Sequence, residues 1–163
     1  MLNALTGARA LVDDSLFATL DPTVRQLFLP ELGVVTITDT VGFVKHLPHE
    51  LVEAFRSSLE EVGEAHLLLH VVDASDPQAE AQISAVHSVL SDLEVGHTES
   101  LMVLNKIDKA EPAVVERLKR NYLGSLAVSV LAGKGIADLR ESIQAKLKFA
   151  SGLNLSQNGY HAS

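Results

Sequence analysis

Leu101-Met102-Val103-Leu104-Asn105-Lys106-Ile107-Asp108 is the stretch on which the fold is decided. Leu101 to Leu104 is a short apolar run, as expected of a strand buried on both faces. A polar tetrad follows where that strand ends. In open α/β sheets ligands bind beyond the carboxyl ends of the strands, so the tetrad stands where chemistry is to be sought. A carboxylate at Asp108 can accept two N–H donors from the edge of guanine. Adenine offers no such pair, and an unpaired buried polar group costs ~1–3 kcal/mol, so the position can select between the bases. Asn105 can bridge the base and a neighbouring loop. The Lys106 stem can lie along the base plane while its ammonium stays in polar surroundings. The same four residues also suit a polar loop that caps a helix.

Outward from this stretch, short apolar runs alternate with amphipathic ones. Val34 to Thr38 is rich in β-branched residues and ends at Asp39, which predicts a strand. From Pro48 to Gly63, Leu51, Phe55, Leu59 and Val62 share a helical face, with Pro48 suited to the first turn. Leu67 to Val72 predicts a buried strand. Asp76 predicts a cap, with Pro77 opening a helix that runs to about Leu93. Glu111 to Tyr122 predicts a helix, Leu126 to Ser129 a short strand, and Ile136 to Phe149 the last helix. His66 and His70 bracket a strand and are expected to cap or pack. This alternation predicts an α/β domain: a mostly parallel sheet with helices on both faces. The strand ends to read for function are then Asp39, Asp73, Asn105 and Ser129.

Three further segments carry candidate chemistry. In Asp39-Thr40-Val41-Gly42 the carboxylate can hold Mg²⁺ through a water, because that ion keeps much of its hydration shell. Gly42 lets a backbone N–H approach a terminal phosphate. The pattern fits a plain strand end and turn equally well. Ser129-Val130-Leu131 closes another strand, and a backbone N–H there can donate to the guanine carbonyl; by itself the segment is a turn before Gly133 and Gly135. Phe17-Ala18-Thr19-Leu20-Asp21 precedes Pro22-Thr23. A loop threonine such as Thr19 can ligate Mg²⁺ beside a triphosphate, and an ordinary loop with a proline turn reads the same.

The bulk properties narrow the classes. The 163 residues are 47% hydrophobic and only 4% aromatic, without Trp, so the core is aliphatic. With no cysteine, disulfides, thiolate metal sites and cysteine nucleophiles are excluded. The net charge of −8 argues against direct DNA binding through bulk electrostatics. No apolar run is long enough for a membrane span, and no secretory leader pattern is present, so a cytoplasmic location is expected.

Taken in order, the segments resemble the G domain of translational-type GTPases, and most specifically the HflX family. The resemblance is carried by Leu16-Phe17-Ala18-Thr19-Leu20-Asp21-Pro22-Thr23, Asp39-Thr40-Val41-Gly42-Phe43, Leu47-Pro48-His49, Leu51-Val52-Glu53-Ala54-Phe55-Arg56-Ser57 and His70-Val71-Val72-Asp73-Ala74-Ser75-Asp76. It covers roughly positions 2 to 148, and its Thr38 to Glu61 portion is longer than a generic GTPase motif. It implies a P-loop GTPase-like sheet that binds GTP or GDP with Mg²⁺. It places the first switch at Phe17 to Asp21, with Thr19 as a Mg²⁺ ligand, and the second at Asp39 to Gly42, with Asp39 holding Mg²⁺ through water. Asn105 to Asp108 would read guanine, supported by Ser129 to Leu131. Family members act on ribosomes, through the large subunit, in splitting or rescue. Other members of the superclass, Era- or Obg-like, are the nearest rival reading. A non-catalytic interaction module or non-functional remnant is the other.

The sequence departs from that pattern at one point. No Gly-x-x-x-x-Gly-Lys-Ser/Thr motif occurs, although Leu2-Asn3-Ala4-Leu5-Thr6-Gly7 looks like the segment that follows it. The expectation is an incomplete G domain over 1–149, lacking the first strand and phosphate loop, with a gapped or re-paired sheet, reduced stability and a disordered tail over 150–163. Such a chain is expected to bind nucleotide weakly and to lack GTPase activity. Phe43 follows Gly42, where many GTPases have Gln, so no catalytic side chain is assigned.

Overall fold

The computed structural model describes residues 1–7, 23–39, 62–92 and 98–150. Its elements are α1 (Leu2–Thr6), β1 (Thr23–Leu29), β2 (Gly33–Asp39), β3 (Leu68–Asp73), α2 (Ala79–Asp92), β4 (Ser100–Asn105), α3 (Pro112–Asn121), β5 (Leu126–Ala127) and α4 (Ile136–Ala150). Of the predicted tail over 150–163, Ala150 belongs to α4 and the rest lies outside the described residues, as does most of the predicted 48–63 helix.

The strands form two sheets. β3, β4 and β5 run parallel in that order, and β1 and β2 form a separate antiparallel pair. The parallel sheet matches the α/β expectation; the hairpin does not follow from it. Among the described residues, no ladder joins β2 to β3.

Side-chain alternation along β4 shows why helices cover both faces. Leu101 and Val103 point into a cluster with Leu5 of α1, Leu27 and Leu29 of β1, Val128, and Leu139 and Ile143 of α4. Leu104 points the other way, into a cluster with Val72, Ala74, Ala79 and Ile83 of α2, and Leu118 of α3. A period of two on a strand buried on both faces gives this division. Leu104, Val103, Leu118 and Leu139 are fully buried, and each such side chain contributes ~1.5–3 kcal/mol over its exposed state.

The hairpin follows the same rule on one face only. Leu27 and Leu29 are buried, whereas Val24, Phe28 and Val34 on the opposite face are exposed. Its register pairs Leu27 with Val35 and Phe28 with Val34. The turn closes through Leu32 N–H to Leu29 O at 3.1 Å, and Gly33 there has φ 78°, a conformation that suits glycine. Arg140 of α4 ties the hairpin to α1: its guanidinium donates to Leu5 O at 2.5 Å and to Phe28 O at 2.8 Å. Lys148 pairs with Glu31 and Lys146 with Glu99.

Local chemistry sets the helix starts. Asp76 accepts Gln78 N–H at 2.7 Å and the Gln82 amide at 2.8 Å, but α2 opens at Ala79, so the predicted start at Asp76-Pro77 is a turn leading into the helix and not its cap and first position. Pro112 opens α3, where its missing N–H costs nothing. His70 packs edge-on against His87 of α2, with ring centroids 5.5 Å apart, and His87 in turn meets Tyr122 at 6.5 Å. Burial, assisted by neighbouring His87, pushes the His70 imidazole down to about 4 from its ordinary 6.5.

Candidate functional site

The carboxyl ends of β3, β4 and β5 lie side by side. Asp73 stands opposite Asn105 in the parallel register, and Ala74 N–H donates to Asn105 O at 2.9 Å. Val128 N–H donates to Leu104 O at 2.8 Å and Ile107 N–H to Val128 O at 3.3 Å. The tetrad and the segment after β5 are thereby stitched together by backbone bonds before any side chain acts.

Side chains complete the arrangement. Asn105 Oδ1 accepts Val130 N–H at 3.2 Å. The Ser129 hydroxyl, fully buried, donates to Asp108 Oδ1 at 2.5 Å and accepts Ala132 N–H at 3.1 Å. Asp108 itself is exposed, and among the described residues no hydrogen bond reaches its Oδ2. One carboxylate oxygen is thus anchored by a buried hydroxyl and the other faces outward. Such a group is preorganised to accept a pair of N–H donors.

The turn after Ser129 is closed by two backbone bonds with Lys134, each 3.0 Å. Gly135 makes it possible. At φ 75° a Cβ would lie 2.7 Å from Ala127 O, closer than packed atoms tolerate. Ser129 N–H and Val130 N–H are both used within the protein, so of the three predicted residues Leu131 keeps a backbone donor available. Leu131 is 82% exposed, as a group meeting a ligand at the rim would be.

Lys106 is the sole non-glycine residue with positive φ, at 62°, among the described residues. Its ammonium lies 2.8 Å from Asp73 Oδ2. Asp73 Oδ1 accepts both Ser75 N–H, at 2.9 Å, and the Ser75 hydroxyl, at 2.6 Å. Partial burial raises the Asp73 carboxyl, but hydrogen bonds from Lys106 and Ser75 together outweigh it and hold the group below the ordinary carboxylate range. Its part in the site was missed from the sequence, where it stood only as a strand end.

The structure therefore brings together Asn105, Lys106, Ile107, Asp108, Ser129, Val130 and Leu131. Asp39 is exposed at the end of β2. Its predicted neighbours Thr40, Val41 and Gly42, and the whole of Phe17, Ala18, Thr19, Leu20 and Asp21, lie outside the described residues. Among the described residues, no group of three or more His, Asp or Glu side chains is arranged to hold a metal. A single strand-end carboxylate fits a hydrated Mg²⁺ held through water rather than a dedicated protein cage. No helix of the described residues is long and apolar enough to cross a membrane.

Comparison with known proteins identifies the fold and the family. HflX GTPase from Magnetococcus marinus is 47% identical over 144 residues, 88% of this chain and 33% of that protein. HflX GTPase from Caldanaerobacter subterraneus is 58% identical over 111 residues, 68% of this chain and 26% of that protein. The chain thus spans about a third or less of the length of these relatives. Among solved structures, a GTP-binding protein from Sulfolobus solfataricus in complex with GDP superposes with a TM-score of 0.70 at 24% identity, covering 94% of this chain and 48% of that one, which shows the shared fold. Residues 1–106 match the family described as 50S ribosome-binding GTPase, and the chain belongs to that family, with a sequence of the HflX type.

Proposed function

We propose that this chain carries the base-reading part of a GTP/GDP site of an HflX-type GTPase. The observation that carries the reading is the Asp108 carboxylate, held by the buried Ser129 hydroxyl at the end of a parallel sheet. In this reading Asp108 accepts the two N–H groups of guanine, Lys106 covers the base plane, Asn105 fixes the loop after β5, and Leu131 N–H meets the guanine carbonyl. Phe17 to Asp21 and Asp39 to Gly42 serve as the two switches. Mg²⁺ neutralises phosphate charge when bound, and Thr19 and, through water, Asp39 would hold it. The ribosomal large subunit is the proposed partner of the whole protein and the cytoplasm its proposed location.

The 163-residue polypeptide contains no Gly-x-x-x-x-Gly-Lys-Ser/Thr segment. That motif supplies backbone N–H groups, a lysine and a hydroxyl to the phosphates and Mg²⁺. Three or four charge-assisted bonds at ~1.5–3 kcal/mol each come to roughly 5–12 kcal/mol, against about −12 kcal/mol for nanomolar binding. The polypeptide by itself is therefore proposed to bind GDP and GTP at millimolar strength or weaker and not to hydrolyse GTP. Titration with GDP and ADP, followed by amide chemical shifts in two-dimensional NMR, tests the reading. Shifts confined to the tetrad and the Ser129 turn, with GDP preferred, are expected. Equal response to ADP would overturn guanine recognition, and measurable GTP turnover would overturn the assignment of weakness.

A further inference from the structure

Four features converge on Asp73. It sits beside Asn105 in register at the end of β3. Its Oδ1 is occupied by the N–H and hydroxyl of Ser75, so the carboxylate cannot rotate without losing both. Its Oδ2 meets the Lys106 ammonium at 2.8 Å. Lys106, finally, adopts a left-handed backbone conformation that non-glycine residues seldom occupy. A pair between two exposed, mobile side chains contributes little. Here one partner is fixed by Ser75 and the other by its backbone, so the pair defines a direction. The side chain of Lys106 remains about half exposed, which leaves its stem accessible while its charge is neutralised.

We propose that Asp73 is a positioning residue for base binding: by holding the Lys106 ammonium it lays the lysine stem along the plane that guanine occupies. The inference rests on the guanine reading above and extends it to a residue on a different strand. Because Lys106 meets the base and not the phosphates, Asp73 affects guanosine and GDP alike.

A double-mutant cycle on the full 163-residue chain tests this, with guanosine and GDP as probes and NMR titration as the readout. Asp73→Asn keeps an oxygen for Ser75 and removes the charge that pairs with Lys106. Its expected effect is about tenfold weaker binding of both probes, and less than about twofold in a Lys106→Met background. An equal loss in both backgrounds would mean a merely structural role and overturn the proposal. Unchanged affinity in Asp73→Asn would also overturn it while leaving guanine recognition intact. An equal response of the unmodified chain to guanosine and adenosine would overturn the guanine reading and this inference together, an outcome distinct from the other two. Should Asp73→Asn fail to fold, Ser75→Ala removes the hydroxyl that fixes Asp73 and is expected to show the same dependence on Lys106; loss independent of Lys106 would count against it.

Discussion

Removing one buried hydroxyl isolates the element on which base recognition rests. Ser129 is fully buried and its Oγ makes two bonds, to Asp108 Oδ1 at 2.5 Å and from Ala132 N–H at 3.1 Å. In Ser129→Ala the carboxylate loses its anchor and Ala132 N–H its acceptor. A hydrogen bond to a charged group contributes ~1.5–3 kcal/mol, but exposed Asp108 can recover part of that from water, so a stability loss of about 1–2 kcal/mol is expected. The effect on binding has a different origin. A freed side chain must be ordered again when the base arrives, at ~0.5–1.5 kcal/mol, which weakens guanosine binding roughly two- to tenfold. Urea unfolding reads the first quantity and NMR titration with guanosine the second, with adenosine as control. The reasoning is refuted if folded Ser129→Ala binds guanosine as the unmodified chain does, or if adenosine weakens equally.

Other consequences of the structure are open to simple measurement. Arg140→Ala removes the donors to Leu5 O and Phe28 O, and a loss of about 1–3 kcal/mol is expected, read from the urea midpoint. Gly135→Ala places a Cβ 2.7 Å from Ala127 O at φ 75°, and about 2 kcal/mol of destabilisation is expected in thermal or urea melts, with weaker guanosine binding because the Ser129 turn shifts. His70 titrates near 4 when folded and near 6.5 in an open chain, so between those values the unfolded state binds more protons and stability falls as pH drops. The span sets a ceiling of about 3 kcal/mol, which solvent access to the half-buried ring reduces to about 1–2 kcal/mol. His70→Phe should lose less stability than the unmodified chain between about pH 7 and about pH 4.5, and equal losses would contradict the assignment.

The tetrad was legible in the sequence because strand, loop and chemistry are contiguous there. Leu101 to Leu104 gives an apolar run and Asn105 to Asp108 follows without a break, so local reading suffices. The approach to α2 was legible for the same reason: Asp76 acts within a few residues of itself. β1 was not. Its Val24 and Phe28 are apolar yet point outward, and they fill the positions where polar residues would have revealed a period of two. β5 was legible at Leu126 as a short strand, though its ladder ends at Ala127 and not at the expected Ser129. The pairing of Asp73 with Lys106 was hidden because it depends on β3 lying beside β4, which sheet order and not spacing determines. Leu27 and Leu29 of the hairpin share a cluster with Leu101 and Val103 of β4, although among the described residues no ladder joins the two sheets.

The central claim is that Asp108 reads the base as an acceptor of two N–H groups, and a single substitution inverts that chemistry. Asp108→Asn replaces one acceptor by an N–H donor, which complements xanthine, with one N–H and one carbonyl on the same edge, rather than guanine. NMR titration of the variant with guanosine and xanthosine is predicted to show guanosine weakened about tenfold or more and xanthosine now preferred. A variant that still prefers guanosine as strongly as the unmodified chain does would show that Asp108 does not read the base.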